Sequence, residues 1–177
     1  MTPRCTKRAR PLPPAFTVYR IGTDTPHYTA DDVTGTGAKI TGGRWNSVGR
    51  AVVYAAASRA LAALETLVHL APAGAFPANR YLVELHIPAA IWKARTSFDP
   101  TANVGWDAEP PGAVSLTWGD QWLQAVSSLV AVVPSVIVPE EEVVLLNPRH
   151  LDLSQVKVRK VRRWSYDSRL LFTSSAS

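Results

Sequence analysis

Apolar and polar positions alternate along Ala15–Ile21 (AFTVYRI), and this two-residue period predicts a short strand. Val52–Ala57 (VVYAAA) is apolar almost throughout and predicts a buried strand. Between them, Gly22–Gly49 has no period, is dominated by Thr, Asp and Gly, and reads as loop. Ser58 suits a helix N-cap, and the Ala- and Leu-rich stretch after it predicts a helix to about Leu70, ended by Pro72 and Gly74. Arg80–Ile87 alternates Tyr81, Val83, Leu85 and Ile87 against Leu82, Glu84 and His86, which predicts a half-buried strand closed by Pro88. The spacing of Trp118, Trp122, Ala125 and Leu129 predicts a helix over Trp118–Val130. Ser135–Val138, bounded by Pro134 and Pro139, reads as a short strand. Glu142–Leu146, stopped by Asn147-Pro148, and the basic Gln155–Trp164 read as two more. Strands outnumber helices and the helices are scattered among them. The fold class expected is α+β, with a mixed, mostly antiparallel sheet.

The 177 residues suit a single domain, and a chain that is 46% hydrophobic and 19% charged can bury a core. Residues 1–15 are rich in Pro and Arg and are expected to be a disordered tail. Residues 16–172 then form the domain, and 173–177 a C-terminal tail. No window approaches 18 uninterrupted apolar residues, so no membrane span and no membrane partner are expected. The N-terminal segment has no apolar stretch of the kind a secretory signal carries. Cys5 is the only cysteine, which excludes an internal disulfide, zinc-finger and iron–sulfur frameworks and makes a reducing cytoplasm the expected compartment.

The net charge of +5 is concentrated at the ends. Arg4, Lys7, Arg8 and Arg10 stand without an acid in the first fourteen residues. Lys157, Arg159, Lys160, Arg162, Arg163 and Arg169 face Asp167 alone. Such clusters can contact nucleic-acid phosphates or an acidic protein. The simpler reading is a solvated tail and a strand edge whose charges discourage edge pairing. Only Trp164 and Tyr166 adjoin the second cluster, too few for a base-stacking platform.

Glu65 is the residue that spacing singles out. At 100° per residue it falls within about 60° of Leu61 and Val68, an acid on the face expected to be buried. Such a carboxylate is either paired with an arginine or put to catalytic use. Arg44 lies in Gly42-Gly43-Arg44-Trp45-Asn46, where the glycines allow close backbone approach and the guanidinium offers a fork for phosphate or carboxylate. Trp45 adds a stacking surface and Asn46 an amide. Arg20 beside Tyr19 is an uncommon cation in an apolar strand. Tyr54 interrupts VVYAAA, and Ser135 sits where its hydroxyl could face a cleft. Thr36–Gly43 lacks the strand and the Lys-Ser/Thr ending of a phosphate loop. Ser135, His150 and Asp152 lack a nucleophile elbow. The histidines are too scattered for a metal, and none is assigned.

Taken in order, these residues resemble the RES domain, named for an Arg, a Glu and a Ser and found as the toxin of bacterial RES–Xre toxin–antitoxin pairs. The resemblance runs from about Val18 to Leu171. It rests on Tyr19-Arg20, on Gly43-Arg44-Trp45-Asn46, on Tyr54 ten residues later and on Glu65 eleven after that. Gly119-Asp120-x-Trp122, Pro134-Ser135, Glu140–Glu142, Asn147-Pro148-x-His150 and Tyr166-Asp167-x-Arg169-Leu170 follow. Glu142 departs from the family pattern, and the N-terminal tail lies outside it.

The resemblance implies a fold like that of ADP-ribosyltransferases and diphtheria-type toxins. It also implies NAD⁺ as substrate, with no prosthetic group, and inorganic phosphate as a candidate co-substrate. In that reading Glu65 stabilises the ribosyl cation, and Arg44 and Arg20 are alternatives for the pyrophosphate or an incoming phosphate. Tyr54 stacks on nicotinamide or ribose, Ser135 hydrogen-bonds the ribose or orients the acceptor, and Tyr19, Trp45 and Asn46 line the substrate. The expected activity is depletion of NAD⁺ by phosphorolysis or hydrolysis in a bacterial cytoplasm, held in check by an Xre-like helix-turn-helix antitoxin that carries any DNA binding. A homodimer is left open. The alternatives are a protein ADP-ribosyltransferase, a non-catalytic basic nucleic-acid-binding module and an inactive scaffold.

Overall fold

The computed structural model describes residues 15–70 and 76–170. It contains strands β1 (Ala15–Thr23), β2 (Val53–Ala56), β3 (Arg80–Pro88), β4 (Thr96–Ser97), β5 (Val130–Pro134), β6 (Glu142–Leu146) and β7 (Lys157–Arg163). Its helices are α1 (Thr36–Thr41), α2 (Arg59–Leu67), α3 (Ala89–Lys93) and α4 (Ala113–Ala125). The strands form one sheet in the order β4-β5-β6-β2-β1-β3-β7. Neighbours are antiparallel except β4 and β5, which run parallel. The fold is therefore α+β, as expected.

Strand alternation divides the core between the two faces of this sheet. Ile21, Ala56, Leu82, Val143 and Leu145 pack on one face with Leu61 and Ala62 of α2 and Trp122 and Leu123 of α4. Val18, Val53, Val83, Leu85, Val144 and Leu146 pack on the other, together with Ile91 of α3. Residue parity along a strand thus decides which side of the protein a side chain can serve.

Several boundaries differ from the pattern reading. The segment read as loop, Gly22–Gly49, contains α1. Helix α2 is capped by Ser58, whose Oγ accepts the Leu61 N–H at 3.1 Å, and it ends at Leu67 with Val68 as its C-cap. Pro72 and Gly74, the expected terminators, lie outside the described residues. Helix α4 starts five residues before Trp118, just after Pro110-Pro111, and stops where Val126 turns left-handed at φ 51°. Ser128 and Leu129 are then buried in the connection, and Val130 begins β5 where helix was expected. Ser135–Val138 is the turn after β5 rather than a strand, because Pro134 ends the strand before it. α3 and β4 carry no strong period and were not expected.

Candidate active site

Three connections bring Glu65 and Ser135 together. Helix α2 follows β2 directly, and the Ala57 N–H donates to the Glu142 carbonyl on the neighbouring β6 at 3.0 Å. Ser58 ties the start of α2 to the β5–β6 turn by donating to the Glu141 carboxylate at 2.6 Å. That turn is closed by the Ser135 N–H on the Glu141 carbonyl at 3.0 Å. Ser135 therefore lies beside α2, two turns along from Ser58, and its Oγ donates to Glu65 Oε1 at 2.7 Å.

Ser135 is buried, and its hydroxyl is fully employed. Besides the bond to Glu65 it accepts the N–H groups of Ile137 at 3.0 Å and Val138 at 3.1 Å. A hydroxyl has one proton and two lone pairs, so nothing is left over. Glu65 itself is half-buried at the edge of the Leu61–Ala62 stripe. Leu64 and Val68 beside it are exposed, so Glu65 is less buried than its spacing predicts. Among the described residues no arginine, lysine or histidine forms a salt bridge with Glu65. The carboxylate is directed by a serine instead.

Arg44 reaches this neighbourhood from a heavily braced loop. Gly43 pairs with Asn46 across a tight bridge. Asn46 has no solvent exposure, and its amide donates to the carbonyls of Ala38, Ser47 and Arg50. Its Oδ1 accepts the Tyr54 hydroxyl at 2.8 Å, and the same hydroxyl accepts the Trp45 N–H at 3.0 Å. A Cβ on Gly43 would stand 2.7 Å from that hydroxyl. Burial pushes the Tyr54 phenol well above its ordinary pKa. Asp120 of α4 accepts the Ser47 N–H and hydroxyl at 3.0 and 2.5 Å. A Cβ on Gly119 would meet the Trp45 carbonyl oxygen at 2.0 Å, so the close seat of α4 on the loop requires a glycine there.

The Arg44 guanidinium donates through Nη1 to the carbonyls of Trp106 and Ala108, at 3.2 and 2.9 Å, and through Nη2 to the Glu109 carboxylate. Burial lowers its pKa from the ordinary value, and Glu65 is foremost among the charges that oppose that shift. Glu65, Ser135, Arg44 and Tyr54 thus all belong to the α2 side of the sheet. Tyr19 is also there, under the Arg59 guanidinium at 4.3 Å from its ring centroid.

The remaining expected residues are placed differently. Arg20 follows Tyr19 by one residue and opposes Val83, so it points to the other sheet face, where it donates to the Asp32 carbonyl at 2.8 Å. Burial lowers its pKa, with Asp32 opposing. The sheet stands between Arg20 and Glu65. Trp45 is 2% exposed, inside a cluster with Phe98, Trp106 and Trp118, so its ring is core. Pattern reading assigned no function to Glu109 or Asp120. Asp120 lies in Gly119-Asp120-x-Trp122, whereas Glu109 sits in an aperiodic Pro-rich loop that gives no signal. Among the described residues no three His, Cys, Asp or Glu side chains gather as metal ligands, and no helix is long and apolar enough to cross a membrane.

The sequence places the chain in a known family. The chain matches the RES domain over residues 17–168 and belongs to that family. Its relatives carry toxin names. It is 54% identical over 154 residues to the Prs ADP-ribosylating toxin of Sphingobium sp. (strain YBL2), covering 86% of this chain and 95% of the relative. It is 40% identical over 123 residues to Toxin Res of Yersinia enterocolitica, covering 70% and 79%. It is 38% identical over 140 residues to Toxin Res of Pseudomonas putida, covering 78% and 92%. The chain is a RES-domain toxin.

Proposed function

We propose that this toxin cleaves the nicotinamide–ribose bond of NAD⁺ and that Glu65 carries the reaction. The single observation behind the reading is the Ser135–Glu65 bond, which fixes a carboxylate at a partly open position without neutralising it by a salt bridge. As the C1″–N1 bond breaks, nicotinamide leaves with the electron pair and the ribosyl carbon becomes cationic. A carboxylate held against that carbon stabilises the charge as it develops. The acceptor then bonds to C1″ and gives up a proton. Ser135 acts through Glu65, because its proton and both lone pairs are already engaged. Arg44, with Glu65 among the charges it feels, is the cation for the pyrophosphate. Arg20, across the sheet, is not. Tyr54 and Asn46 hold the Arg44 loop in place rather than touching substrate, and NAD⁺ is substrate with no further prosthetic group.

Depletion of NAD⁺ follows if the acceptor is water, giving ADP-ribose, or inorganic phosphate, giving ADP-ribose-1″-phosphate. A second reading has a protein acceptor, and it is favoured by the 54% identity to a toxin named for ADP-ribosylating Prs. The bond broken is the same in both. The family reading adds a cytoplasmic bacterial setting and an Xre-like antitoxin that covers the site. The test is to incubate the purified chain with NAD⁺ alone, with phosphate, and with the Prs protein that the relative's name gives. Products are then resolved by mass. Free ADP-ribose or its phosphate supports depletion, and a mass addition on the protein with little free product supports the second reading. Intact NAD⁺ in all three mixtures contradicts both.

A further inference from the structure

The outer edge of Arg44 is occupied, and its occupants are unequal. The Trp106 and Ala108 carbonyls belong to a loop anchored by the buried Trp106 ring, so they cannot leave without disturbing the aromatic cluster. Glu109 is anchored by nothing comparable. Its side chain is 66% exposed where that of Arg44 is 13% exposed. Its carboxylate can return to water at little cost, since a pair with one exposed partner contributes little to stability. Arg44 forms no other salt bridge among the described residues. An exposed acid on a shielded arginine satisfies the guanidinium while the site is empty and yields to an anion that fits the fork better.

We propose that Glu109 is an internal competitor that sets the affinity of the site for dinucleotide phosphates. A pyrophosphate oxygen takes the Nη2 edge of Arg44, and the Glu109 carboxylate turns out to solvent. No covalent bond changes in this exchange. The two backbone carbonyls keep Arg44 aimed throughout, so the arginine is pre-positioned and only its anionic partner is traded. This inference rests on reading Arg44 as the phosphate-binding arginine.

The test is calorimetric binding of ADP-ribose, inorganic pyrophosphate and adenosine to the unaltered chain, Glu109→Gln, Arg44→Lys and the double variant, at low salt. Glu109→Gln should bind ADP-ribose and pyrophosphate roughly two- to fivefold more tightly, the scale of an exposed ion pair. Adenosine, which has no phosphate, should bind unchanged, and the gain should vanish in the Arg44→Lys background. An unchanged melting temperature for Glu109→Gln would show that the loop is intact, as the exposure of the side chain leads one to expect. Unchanged or weaker phosphate binding by Glu109→Gln, while Arg44→Lys still weakens it, overturns the role of Glu109 and leaves the Arg44 reading standing. Phosphate probes that bind all four proteins alike overturn both.

Discussion

Replacing Ser135 by alanine removes one oxygen and three hydrogen bonds. The bond to the Glu65 carboxylate is charge-assisted, which sets it at about 1.5–3 kcal/mol, and each amide bond adds about 0.5–1.5 kcal/mol. Ile137 is exposed, so water replaces part of its loss. The expected destabilisation is about 2–4 kcal/mol, or a melting-temperature fall of roughly 5–15 °C for a chain of this size. Because the largest bond is to Glu65, a double-mutant cycle isolates it. Ser135→Ala in a Glu65→Ala background should cost less than in the unaltered chain by about 1.5 kcal/mol or more. Thermal and urea unfolding measure the stabilities, and nicotinamide release measures the rate, which should fall because Glu65 loses its fixed orientation. If the two substitutions were simply additive in stability, or if Ser135→Ala released nicotinamide at the unaltered rate, the claim that Ser135 acts through Glu65 would be refuted.

Other outcomes follow from the same contacts. Gly119→Ala places a methyl group 2.0 Å from the Trp45 carbonyl, where only backbone movement relieves the clash, so unfolding experiments should show a loss of about 3 kcal/mol. Tyr54→Phe keeps the ring but strands the Trp45 N–H and loses the Asn46 contact. It should cost about 1–3 kcal/mol and raise KM for NAD⁺ more than it lowers kcat, because the Arg44 loop loosens. Glu84, buried in β3, accepts from Arg159 at 2.6 and 3.1 Å and from Arg59 at 3.0 Å, and Arg159 above all holds its carboxyl below the ordinary range. A lowered carboxyl stabilises the fold above the unfolded pKa, near 4.3, and loses that contribution as pH falls below it. The melting-temperature gap between the unaltered chain and Glu84→Gln should therefore narrow between about pH 5 and pH 3. A constant gap would contradict the assignment.

The strands that alternate or run uniformly apolar were legible because their burial matches a period. β1, β2, β3, β6 and β7 fall within two residues of their expected bounds. The region from Trp118 to Val138 was misread because a buried strand and a helical face both present apolar residues in runs. A β-branched residue in left-handed geometry, Val126, marks the break without any sequence signature. Helix α1 buries no residue and the short α3 buries only Ile91, so neither has an amphipathic stripe for periodicity to show. Glu65 stood out as a lone acid among Ala and Leu. Its partner could not be read, since the Ser135 contact spans 70 residues and depends on the β5–β6 turn lying against α2. Parity along β1 separated Tyr19 from Arg20 only once the sheet had two covered faces. The opposition of Glu109 to Arg44 joins two loops and is a purely tertiary fact.

Glu65 is the residue on which the proposed reaction depends. The direct measurement is nicotinamide release from NAD⁺ by the unaltered chain and by Glu65→Gln, at equal concentrations of folded protein. The substitution keeps the side chain's shape and an acceptor for the Ser135 hydroxyl, and it removes the charge. Release by the unaltered chain and a loss of at least a hundredfold in the variant are expected, the scale on which one electrostatic stabiliser of a developing charge acts. Release at comparable rates by both proteins would show that the charge of Glu65 does not carry the reaction.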